Sequence, residues 1–160
     1  MRLPAPLVLP LAGVLLLSGC AATPTVDEHA LAAWQAEQET ATETEPDVIG
    51  VLTDRIAPGG DAPTGDRPGV RVQFPTSHDI ERVELSCFGN GHMRGVLRIE
   101  SSTASGSFQV DELACRDSPR PIRLTRLAST DVDAVAFGGD DSDRPSAWRL
   151  VIVGVPAADG

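Results

Sequence analysis

The chain has 160 residues, 23 acidic against 13 basic side chains, and a formal net charge of −10. All the basic residues are arginine, tyrosine is absent, and hydrophobic types make up 41%, enough for one modest core beside polar segments. No basic stripe interrupts the acidic balance, so a polyanion-binding surface is excluded and nucleic acid is not an expected partner.

An apolar run from Leu7 to Leu17 follows Arg2 and ends in Ser18-Gly19-Cys20. It is about half of the roughly 20 residues that a membrane span needs. A short apolar stretch behind a positive start and before small residues is the pattern of a signal peptide. Leu17-Ser18-Gly19-Cys20 resembles the lipobox of bacterial lipoproteins at every position. That resemblance implies a signal peptide over 1–19, cleavage before Cys20, and a diacylglyceryl group on the Cys20 thiol. It places the mature chain on the outer face of the cell membrane. Two acyl chains hold a protein far better than one. An uncleaved membrane helix and a secreted, unlipidated chain are the competing readings. The arginine-only, alanine- and glycine-rich composition resembles that of proteins from high-GC genomes such as actinobacteria.

Thr25-Val26-Asp27-Glu28 has the spacing of a capping box, with Thr25 as the cap. Leu31, Trp34 and Gln38 follow at helical spacing, which predicts a helix over about 26–39. Trp34 is a candidate contact, either with the protein's own domain or with a membrane interface or partner. Residues 21–47 carry seven acids and no arginine. Together with the Pro-, Gly- and Asp-dense stretch 57–69, this makes 20–69 read as an acidic tether. Val48-Ile49-Gly50-Val51-Leu52 is an apolar island within it, either a strand that docks on the domain or a helical turn running to Ile56.

From Val70 the apolar period becomes two. Strands are expected at 70–74, 80–88, 93–100, 107–110 (or on to Cys115), 122–127, 132–137 and 147–155, with Asn90-Gly91 as a hairpin turn and Ser101–Gly106 as another. Seven short strands with regular turns predict an antiparallel β-sandwich over 70–160.

Once Cys20 is lipidated, Cys87 and Cys115 are the only cysteines left, and an exported domain sits in an oxidising compartment. A Cys87–Cys115 disulfide is therefore expected, ahead of a Cys87–His92 thiol catalyst or a metal site built with His78 and His92. The segment Cys87-Phe88-Gly89-Asn90-Gly91, set between strands and followed by Cys115, resembles small uncharacterised actinobacterial lipoproteins with a two-cysteine β-domain. No activity is implied by that resemblance.

Asp140, Asp141 and Asp143 form a weak candidate for Ca²⁺, without the spacing of a helix-loop-helix calcium loop. Arg120, Arg123 and Arg126 recur every third residue; on a strand Arg123 faces opposite to the other two, so a solvated surface is expected ahead of an anion or carboxylate pocket. Asn90 and His92 belong to the first turn. No nucleophile elbow, zinc-protease motif or phosphate loop occurs. The sequence thus favours a non-enzymatic, cofactor-free binding or interaction module of the cell envelope, contacting an envelope protein or a glycan. A cell-wall-acting enzyme and a structural lipoprotein without ligand are the alternatives.

Overall fold

The computed structural model describes residues 25–59 and 69–157. Cys20 and the whole signal-peptide region lie outside the described residues. Helix α1 spans Glu28–Glu43, and seven strands follow: β1 (Val48–Ile56), β2 (Val70–Cys87), β3 (His92–Ser101), β4 (Ser105–Ala114), β5 (Arg120–Ile122), β6 (Val132–Asp140) and β7 (Ser146–Pro156). All pair antiparallel, in the order β1-β7-β2-β6-β3-β4, with β5 on β2. The expected mainly-β, sandwich-like fold is what the chain adopts.

One strand makes the two layers. The first half of β2 pairs with β6 from Val70 to Gln73 and again at His78, and its second half pairs with β7 from His78 to Cys87, with register shifts at 73/78 and 80/82. A strand that changes partner at an irregularity turns the corner between two sheets. One layer is therefore β1-β7-β2-β5 and the other β2-β6-β3-β4. The two segments expected as separate strands, 70–74 and 80–88, are halves of this single strand. Pro75 does not end it, because it falls in the irregular stretch between Gln73 and His78, where the ladder to β6 is interrupted.

Alternation explains the core. Val83 and Leu85 of β2, Leu150 and Ile152 of β7, Leu97 and Ile99 of β3, and Val135 and Phe137 of β6 are all buried in one cluster. Cys87 ends β2 in one layer and Cys115 follows β4 in the other, and they form a disulfide across 28 residues. Cys115 opens a 3₁₀ turn (Cys115–Asp117) rather than ending a strand.

The hairpin expected at Asn90-Gly91 is not there. β2 and β3 are not hydrogen-bonded neighbours, and 88–91 crosses between layers. The glycines serve this crossing: Gly89 takes φ +92°, and a Cβ on Gly91 would stand 2.5 Å from Asp143 Oδ1. The Ser-rich turn does form a hairpin, closed by Ser101 N–H to the Ala104 carbonyl at 2.8 Å. The strand expected over 122–127 stops at Ile122, and a 3₁₀ turn (Arg126–Ala128) replaces the rest.

The domain also starts well before residue 70. β1 pairs along β7 from Val48↔Val153 to Ile56↔Ser146 and buries Leu52 and Ile56. The apolar island is thus an edge strand of the sandwich. Helix α1 is capped by Asp27, not Thr25; its Oδ1 accepts from His29 N–H and Ala30 N–H at 3.1 and 3.0 Å. An aspartate cap adds its charge to the positive helix end. Glu28 does not fold back to cap but meets Arg55 of β1 at 2.7 and 2.8 Å. Leu31 is buried, the Trp34 ring lies 5.9 Å from Phe88, Glu45 pairs with Arg82, and Arg149 donates to Thr42 Oγ1. The helix therefore belongs to the folded body, and the acidic segment is not a tether over 28–56.

Candidate functional site

Six side chains stand out in the sequence as candidate contacts, and they divide between two places. Trp34, Asn90 and His92 gather at the disulfide end. Trp34 is half-buried against Phe88. Asn90 Oδ1 accepts from Arg144 at 3.1 Å, and Asp143 Oδ1 accepts from His92 N–H at 2.7 Å, with the His92 ring 3.5 Å from its other oxygen. That backbone hydrogen bond, with the His92 side chain behind it, holds the Asp143 carboxyl below its ordinary range. These groups fasten loop 88–92 to loop 141–145.

The three aspartates do not converge. Asp143 is committed to His92 and Asp141 to Arg94 at 3.2 Å. Asp140 is buried with Oδ1 unpartnered in the protein, and burial followed by the charge of Asp141 pushes its carboxyl up. Among the described residues no group of three or more His, Cys, Asp or Glu side chains is placed to hold a metal ion.

The arginines lie elsewhere, along the open side of the sandwich. β4 and β5 are the free edges of their layers, and a cleft of about 450 Å³ between them is lined by Phe108 to Asp111 and by Arg120 to Arg123. Arg120 reaches across it, donating from Nη1 to the Glu112 carbonyl of β4 at 3.0 Å. The facing argument for a strand does not apply to Arg123 and Arg126, because the strand has ended: Arg126 sits on the 3₁₀ turn.

Phe108 also lines a second, mostly apolar hollow of about 180 Å³, shared with Ile99, Gly106, Thr125 and Leu127. Leu127 is 84% exposed, the most exposed large apolar side chain described. It does not hang on a loose loop. Ala128 N–H reaches the Thr125 carbonyl at 3.0 Å, and the hydroxyls of Ser129 and Thr130 donate to the Arg126 carbonyl at 3.1 and 2.9 Å. A fixed turn thus holds an apolar side chain in water at the rim of an apolar hollow, beside an unpaired strand edge.

Neither Leu127 nor Phe108 stands out in the sequence reading. One signal was available: Ile122 and Leu124 keep a two-residue phase that Leu127 breaks, so Leu127 could not share their inward face. The cleft itself depends on β4 and β5 facing each other, which no local pattern encodes. No family model, curated protein or solved structure matches this chain.

Proposed function

We propose that this is a membrane-anchored extracytoplasmic lipoprotein whose β-sandwich is a non-enzymatic binding module of the cell envelope. The lipobox resemblance at Cys20 supports the anchor, and the cross-layer disulfide suits an oxidising compartment. The observation that carries the binding role is the β4–β5 cleft with Leu127 held exposed at its rim.

The cleft suits an extended segment of an envelope protein. A free strand edge supplies backbone hydrogen bonds, and alternate side chains of the incoming strand enter the neighbouring hollow. A hollow of about 180 Å³ takes one apolar side chain of the segment. Arg120 and Arg123 beside it favour a carboxylate in the same segment.

A photocrosslinker at position 109, on the exposed side of β4, tests this in intact envelopes. The reading predicts one dominant protein adduct, mapped to an extended segment, that is lost in Leu127→Asp. No adduct above that of an unrelated lipoprotein, or an adduct indifferent to Leu127, would remove the cleft from consideration.

A further inference from the structure

The helix docking fixes at which end of the domain Thr25, the first described residue, lies. Thr25, Val26 and Asp27 lie against loops 88–91 and 144–146, where together they line one small cleft at the disulfide end. Arg55–Glu28 and Trp34–Phe88 hold the start of α1 there. Five peptide steps separate Cys20 from Thr25, a reach of at most about 18 Å. The apolar hollow lies at the other end. Ser105 and Ala114 bound β4, and the steps between them rise roughly 30 Å.

Charge points the same way. At the disulfide end the acids have partners, Glu28 with Arg55 and Asp143 with His92. Along the flank, α1 presents exposed Glu37, Glu39 and Glu43, and its last turn has no basic residue. An anionic leaflet repels such a flank, so lying sideways is disfavoured.

We propose that the disulfide end, with loops 88–91 and 141–146, rests on the lipid headgroup surface, and that the apolar hollow and Leu127 at its rim point away from the bilayer. This rests on the reading that Cys20 is acylated. The folded body would stand directly on the membrane, with a short leash and no long arm.

The full chain, expressed with its own N-terminus, is purified from membranes and returned to vesicles containing phosphatidylglycerol. Intact mass reports acylation at Cys20. Hydroxyl-radical footprinting then compares vesicles with detergent micelles. The expected result is an acylated chain in which oxidation of Phe88, His92 and Pro145 falls severalfold on vesicles, while Leu127 and Phe108 are labelled as in micelles. A flexible Gly-Ser insertion after Ala22 should abolish that protection without changing acylation. An acylated chain protected at Leu127 or along Glu37–Glu43, or protected nowhere, overturns the orientation while the anchor stands. An unacylated mass overturns both, and the mass itself tells the two failures apart.

Discussion

Phe137 of β6 meets Trp148 of β7 edge-on, with ring centroids 4.8 Å apart and planes at 77°. The two residues belong to opposite layers, so this contact spans the core, and such aromatic pairs add about 0.5–1.5 kcal/mol beyond their burial. Glycines make the room for it. A Cβ on Gly95 would collide with the end of the Phe137 ring and stand 2.9 Å from the Gly138 carbonyl oxygen. A Cβ on Gly139 would be 2.7 Å from Met93 Cε and 3.0 Å from Trp148 Cδ1.

Gly95→Ala is therefore expected to destabilise the domain by about 1–3 kcal/mol, the range for overpacking a filled core. Gly106→Ala, where the nearest atom is an ordinary contact at 3.4 Å, should change little. Thermal melts of both decide the matter, and equal losses would count against the packing described.

Reduction of the Cys87–Cys115 bond should remove ~3.5 kcal/mol, the loop entropy released by a bridge across 28 residues. In a chain of this size that lowers Tm by roughly 10 °C. A melt with and without reductant measures it. A Tm that ignores reductant, or two free thiols before reduction, would contradict the bridge.

Leu31→Ala asks whether α1 is part of the domain. Leu31 is 1% exposed, and emptying such a site costs about 2–5 kcal/mol. A helix on a mobile tether would show almost no loss in the melting of the β-domain, so an unchanged transition would restore the boundary at residue 70.

Asp140 makes stability depend on pH in a defined direction. Burial raises its folded pKa above the ordinary 3.8. Between those two values the folded chain keeps a proton that the unfolded chain has lost, so this group's contribution falls as pH rises through that window. Above the window the full cost is present, and below 3.8 it is absent. Asp140→Asn should therefore raise Tm by a few degrees at pH 7, since about 1 kcal/mol moves Tm by ~2–4 °C here. The gain should shrink toward zero at a pH below 3.8, where folded and unfolded chains both carry the proton. A gain of the same size at both values would assign the effect to something other than charge.

Leu127→Asp should leave the fold alone, since substitutions at exposed positions stay within about ±0.5 kcal/mol. Its effect belongs to binding: loss of the envelope adduct with an unchanged Tm. A fall in Tm of many degrees would mean that Leu127 is packing and not contact surface.

What the sequence determined by itself was local. Alternation at Val83, Leu85 and Cys87 and at Leu97 and Ile99 marked strands, because an inward side chain every second residue is needed whichever strand lies alongside. Leu31, Trp34 and Gln38 carried a helix, with its cap misplaced at Thr25, and Ser101–Gly106 carried the one serine-rich hairpin. The pairing of Cys87 with Cys115 followed from their being the last two cysteines. Tertiary structure decided the rest. The alternation of β2 reads the same through Pro75 whether it ends or changes partner, so only the layers it joins reveal one strand in place of two. Asn90-Gly91 has hairpin composition, but the second half of β2 and β3 lie in different layers and the loop had to cross. Val48–Ile56 became an edge strand because β7 offered a free ladder almost a hundred residues away. The β4–β5 cleft exists only because two free edges face each other, a long-range relation that a two-residue period cannot carry.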